Sequence, residues 1–155
     1  MRYITILFSI AVLTSCGGSG SGKEESSAPG QVSQPKTLAE AEANYTSYHG
    51  IGPIKPFELP ETVNEEMAAQ GKEVYESMCT ACHKPDKKFI GPPPMGIFER
   101  RTPAWVMNMI LNPEQMLAED PIAKLLFVEY NMSPMANQNL TEEQARAVLE
   151  YFRTL

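Results

Sequence analysis

The reading of this chain turns on Cys79-Thr80-Ala81-Cys82-His83. On a helical turn, two thiols three positions apart project to the same side, and the next residue adds an imidazole. That arrangement suits two thioether bonds to haem vinyl groups and one axial bond to the iron. Other uses of Cys-x-x-Cys fit less well. A thioredoxin-type redox pair sits beside a βαβ pattern, and no alternating strand run flanks this one. A structural zinc site needs four ligands, whereas the only other cysteine and histidine are Cys16 and His49.

Working outward, the spacing predicts a helix over about residues 63–78 that delivers the motif at its end. Thr62 with Glu65 reads as a capping box, and Met67, Gly71, Val74, Tyr75 and Met78 form one apolar stripe. Glycine inside a helix costs about 1 kcal/mol against alanine, so Gly71 points to a close approach by another element. Residues 84–96 are irregular and rich in proline. Thr102-Pro103 opens a helix to about residue 111 that carries Trp105, Val106, Met109 and Ile110. Asn112-Pro113 starts a short turn through Leu117, and Asp120-Pro121 opens a helix to about residue 130. A loop at residues 131–139 holds Met132 and Met135. Thr141 and Gln144 make a further capping box, ahead of an inward stripe of Ala145, Val148, Leu149 and Phe152.

This order of elements over residues 62–155 resembles the class I (monohaem) cytochrome c family, in its bacterial lipid-anchored form. The resemblance implies an all-α fold of four to five short helices wrapped around one covalent haem c. Cys79 and Cys82 would attach it and His83 would ligate the iron. Phe89-Ile90-Gly91-Pro92 resembles the family's haem-flanking loop, which implies that the Pro92 carbonyl accepts the histidine ring N–H. Arg101 and Trp105 are the implied partners of a haem propionate. Met135 follows a proline ahead of the last helix, as the family's second iron ligand does, with Met132 as the alternative. Met95 is expected to pack against the haem. Gly71, Tyr75 and Tyr151 match the family's crossing of first and last helices. His49 reads as a surface histidine.

Residues 1–15 read as a secretory signal: Arg2, then a nearly wholly apolar run over residues 3–13, too short to span a bilayer. Leu13-Thr14-Ser15-Cys16 resembles a bacterial lipobox, which would make Cys16 a lipid anchor. The two or three acyl chains of a lipoprotein hold stably where one holds marginally. Residues 16–36 are glycine, serine, proline and charge, a flexible linker with a reach of roughly 25 Å. Residues 37–61, with a short helical piece over 38–43 and then many prolines, are expected to form a partly ordered strap lying over the 62–155 domain. The formal charge of −6 becomes one unit more negative once Arg2 leaves, and an acidic chain of this kind is not a nucleic-acid binder.

With both axial positions filled, no site is left for a small-molecule substrate, and no general base or nucleophile suggests an enzyme. The expectation is an exported electron carrier, lipid-anchored in the cell or outer membrane and facing the periplasm. It would pass electrons from a membrane quinol-oxidising complex to a respiratory reductase or oxidase, a copper nitrous oxide reductase being one acceptor the resemblance suggests. Two alternatives stay open: a gas- or peroxide-reactive haem protein with a labile distal ligand, and a fixed electron-transfer subunit of a larger complex. Lys84, Lys87, Lys88, Arg100 and Arg101 against Asp86 and Glu99 would form a basic rim for docking.

Overall fold

Helix capping and proline placement divide the chain much as its sequence suggests. The computed structural model describes residues 34–155. The expected signal, Cys16 and the linker up to residue 33 lie outside them. Among the described residues there are six α-helices and no strand: α1 (Leu38–Ala43), α2 (Glu65–Met78), α3 (Pro103–Leu111), α4 (Pro113–Glu119), α5 (Pro121–Glu129) and α6 (Glu142–Phe152). Single 3₁₀ turns occur at Tyr45–Ser47 and Ile97–Glu99. None of the described helices is long and apolar enough to cross a membrane.

Three helices start on Pro at the first position, where the missing N–H costs nothing. The Thr102 hydroxyl caps α3 by accepting from Trp105 N at 3.2 Å. Asp120 Oδ1 caps α5 by accepting from Ile122 N and Ala123 N at 2.9 and 2.8 Å. Thr141 and Gln144 complete a full capping box on α6. The start of α2 corrects the sequence reading. Its cap is Asn64, whose Oδ1 accepts from Met67 N at 2.9 Å, and not Thr62 with Glu65. The N–H of Asn64 is taken instead by Glu150 Oε2 at 3.2 Å, a carboxylate brought in from α6. The short turn expected through Leu117 continues as a helix to Glu119.

The most extensive helix pair is α2 against α6. Gly71 is the reason they come so close: a Cβ there would fall on the Ala147 carbonyl and the Val148 amide. Tyr75, one turn later, stacks on Tyr151 at 5.3 Å and meets Phe152 edge-on at 5.7 Å between ring centroids. Around this crossing α3, α4 and α5 supply the core, with Trp105, Val106, Met116, Ile122, Val148 and Leu149 all buried. The run after the first 3₁₀ turn carries no helix, and Ile51, Ile54, Phe57 and Leu59 pack inward along it.

Candidate haem site

The last turn of α2 runs on into the motif. Cys79 N still bonds to Tyr75 O at 2.9 Å, and Cys79 O accepts from Cys82 N and His83 N at 3.1 and 2.9 Å. The turn therefore holds Cys79, Cys82 and His83 in fixed relation. The loop beyond it folds back through Gly91 N to Cys82 O at 2.8 Å and Met95 N to Pro85 O at 3.1 Å. Arg100 pins the same loop by donating to the Pro93 and Met95 carbonyls, both at 3.2 Å.

That fold-back places His83 Nδ1 2.8 Å from the Pro92 carbonyl. A carbonyl only accepts, so Nδ1 carries the proton and Nε2 is the nitrogen left for a metal. Gly91 lies against the ring, where a Cβ would collide with Cε1. Below it, the Tyr75 hydroxyl donates to His83 O at 3.1 Å. Burial, then Cys79 and Tyr151, push that phenol up to about 12, so it stays a neutral donor at physiological pH. Burial, with Cys82 beside it, also pushes the Cys79 thiol up to about 11. A redox-active Cys-x-x-Cys pair has a depressed thiol pKa, so the shift here runs against that use. Among the described residues no group of three His, Cys, Asp or Glu is arranged to hold a metal ion.

Cys79, Cys82 and His83 open on a cavity of about 490 Å³, within the usual range for a cofactor pocket. Its walls are largely apolar: Val106, Ile110, Leu126, Leu140, Val148 and Phe152. Met135 lines the same cavity and packs on the core, whereas Met132 is 67% exposed and lies outside the lining. Met95, expected to pack against haem, is also exposed and off the cavity, because its amide is tied back to Pro85. His49 is off the cavity too. It is half-buried, with Nδ1 buried and unpartnered and its carbonyl accepting from Asn108.

The two propionate partners expected from sequence have different fates. Trp105 lines the cavity, but its ring N–H is committed to Asp120 Oδ1 at 3.2 Å. Arg101 is 3% exposed, lies over the Trp105 ring at 5.4 Å, and has a buried Nε with no partner. Burial lowers its pKa, with Glu42 and Asp120 pulling the other way. A buried guanidinium facing a cavity with an unused donor needs an anion. Arg101 is therefore also absent from the expected basic rim. Lys84 and Lys88 lie over the Phe89 and Tyr130 rings, and Lys88 pairs with Glu129 at 3.4 Å. Sequence reasoning missed Leu38 and Glu42 of α1, which line the cavity from outside the stretch that resembles the family. The only available signal was their i, i+4 spacing. Two cysteines, a ring with one nitrogen fixed, an apolar slot and one unpaired buried cation together fit a haem.

The family model for cytochrome c matches residues 68–155. Among solved structures, cytochrome c from Rhodothermus marinus is 41% identical, with a TM-score of 0.64 over 74% of this chain and 95% of that one. An engineered form of the Rhodothermus marinus protein, bound to a carbene intermediate, is 43% identical, with a TM-score of 0.61 over 66% of this chain and 88% of that one. Comparison with curated proteins gave no match. The chain belongs to the cytochrome c family, haem proteins of electron transfer, and carries its haem c covalently through Cys79 and Cys82.

Proposed function

We infer that this chain is a membrane-tethered single-electron carrier in which His83 and Met135 would hold the haem iron, working between a membrane quinol-oxidising complex and a respiratory reductase or oxidase. The observation that carries the reading is that His83, with Nδ1 tied to Pro92, and Met135 line one apolar cavity. Haem iron, when bound, supplies a one-electron change of oxidation state. The residues do the rest. Pro92 and Gly91 fix the plane and tautomer of the His83 ring. The apolar walls exclude water, and Arg101 offers its charge to a haem carboxylate.

Docking on this reading uses Met78 and Ile90, exposed residues of the cavity lining, with Lys87 and Lys88 of the same lining and, next in sequence, the exposed Phe89 with Lys84 over its ring. Because Arg101 is buried and Lys88 is paired, electrostatic steering is weaker than the sequence count of cations suggests. The rate of electron transfer to an acidic partner should fall only mildly with salt.

The test is the pair of spectra of the exported protein, oxidised and reduced. A weak far-red thioether-to-iron band in the oxidised form and failure of the reduced form to bind CO are expected. A high-spin spectrum with ready CO binding would overturn the carrier. For the tether, Cys16→Ser should move the protein from membrane to soluble fractions, and retention on membranes would end the lipid reading.

A further inference from the structure

A wall of the haem cavity is built upstream of residue 68, where the family match begins. α1 packs against α5, buries Ala41 completely in the core, and turns Leu38 and Glu42 into the cavity lining beside Arg101. Six residues of helix are too few to be stable alone, so something must hold α1 there.

The strap that follows α1 is anchored on α3. Asn108 is 0% exposed in the middle of a helix, a poor helix former and a buried amide that costs free energy unless its hydrogen bonds are met. Its Oδ1 accepts from Ile54 N at 3.0 Å, and its Nδ2 donates to His49 O at 2.9 Å and Ile54 O at 3.0 Å. All three partners are main-chain groups of the strap. The strap is shaped to receive it: Gly50 and Gly52 have φ of +77° and +153°, and a Cβ on Gly52 would strike the Asn108 amide. Two further buried groups hold neighbouring strap residues. Thr102 Oγ1 donates to Tyr48 O at 2.6 Å, and Met116 Sδ accepts from Ile51 N at 3.0 Å.

We propose that Asn108 is a positioning residue for the haem: it clamps residues 49–54 and so seats α1 as a cavity wall that sets the reduction potential. This rests on the carrier reading only where the potential is concerned. Releasing the wall has two opposed effects. Water reaches the cavity and favours the more highly charged ferric state, lowering the potential. Removing the Glu42 carboxylate does the reverse, but Glu42 is exposed and its charge is screened, so water entry wins.

The experiment is amide exchange and equilibrium redox titration on the full-length haem-loaded protein carrying Asn108→Leu, which keeps side-chain size and favours the helix. The Ile54 amide should exchange at least about tenfold faster, the free-energy equivalent of one lost buried hydrogen bond, and the potential should fall. Gly52→Ala strains the clamp from the strap side, where its Cβ meets the Asn108 amide, leaves the α3 sequence unchanged, and should give both shifts if Asn108→Leu fails to fold. Unchanged Ile54 protection, or lost protection with an unchanged potential, overturns the proposal. Exchange does not depend on axial ligation. A missing thioether band in the parent protein would thus sink the carrier reading while exchange still judged the clamp.

Discussion

His83 is held on two sides, by the Pro92 carbonyl on Nδ1 and by the absent side chain of Gly91 against the ring. Gly91→Ala should tilt the ring, weaken its bond to iron and shift both the ferrous spectrum and the potential; an unaltered spectrum would show the loop yields at no cost. Met135→Ala should abolish the thioether band and lower the potential, and Met132→Ala should do neither. Reversal of that pair would reassign the ligand. Glu150 gives a pH prediction. It is 1% exposed, and burial pushes its carboxyl up, but hydrogen bonds from Arg146, Asn64 N and Arg153 outweigh this and hold it below the ordinary glutamate range. A depressed folded-state pKa means the unfolded chain binds the proton first, so stability is full above about pH 4.3 and declines as acid titrates the native carboxylate. Glu150→Gln should flatten the acid limb of the stability curve. The turn that brings Cys79, Cys82 and His83 together was legible because its spacing is local. That the Trp105 ring N–H is already taken depends on Asp120, 15 positions further on, and no local pattern shows that.

Helices repeat the same lesson with their caps. Those of α3, α5 and α6 close within three residues and could be read directly, as could α1, whose Thr37 hydroxyl accepts from Glu40 N. The cap of α2 also closes within three residues, from Asn64 Oδ1 to Met67 N; what no local pattern shows is that the Asn64 N–H goes to Glu150 across the fold. Gly71 was legible as a close approach from its cost alone, but its neighbour is backbone of α6 at Ala147 and Val148, while Tyr151 meets Tyr75. That distinction matters for mutation. A side chain can swing aside, whereas a helix backbone cannot, so Gly71→Ala must separate α2 from α6. Overpacking a core costs about 1–3 kcal/mol, and the upper end is expected here despite alanine's better helix propensity. Denaturant unfolding of the haem-loaded protein would measure it. A variant as stable as the parent would show that the crossing can open freely.

Across the described fold, the apolar faces of α3, α5, α6 and the Met135 loop pack on each other and also converge on a slot. Without haem, Val106, Leu126, Leu140 and Phe152 would face a cavity of about 490 Å³, too large to leave unfilled without loss of the surrounding contacts. A domain of this size has little stability in reserve, so the haem must form part of the core. The α2–α6 pair depends least on it, since Gly71, Tyr75 and Tyr151 bring these two helices together through the most extensive protein contacts. The expected outcome for the Cys79→Ala/Cys82→Ala double variant, freed of haem, is therefore uneven loss. Far-UV circular dichroism should keep part of its helical signal, near-UV signals should vanish, and thermal unfolding should become broad and non-cooperative. A sharp transition within a few degrees of the haem-loaded protein would mean that the helices close over the slot by themselves, and the potential would then owe less to a preformed apolar wall.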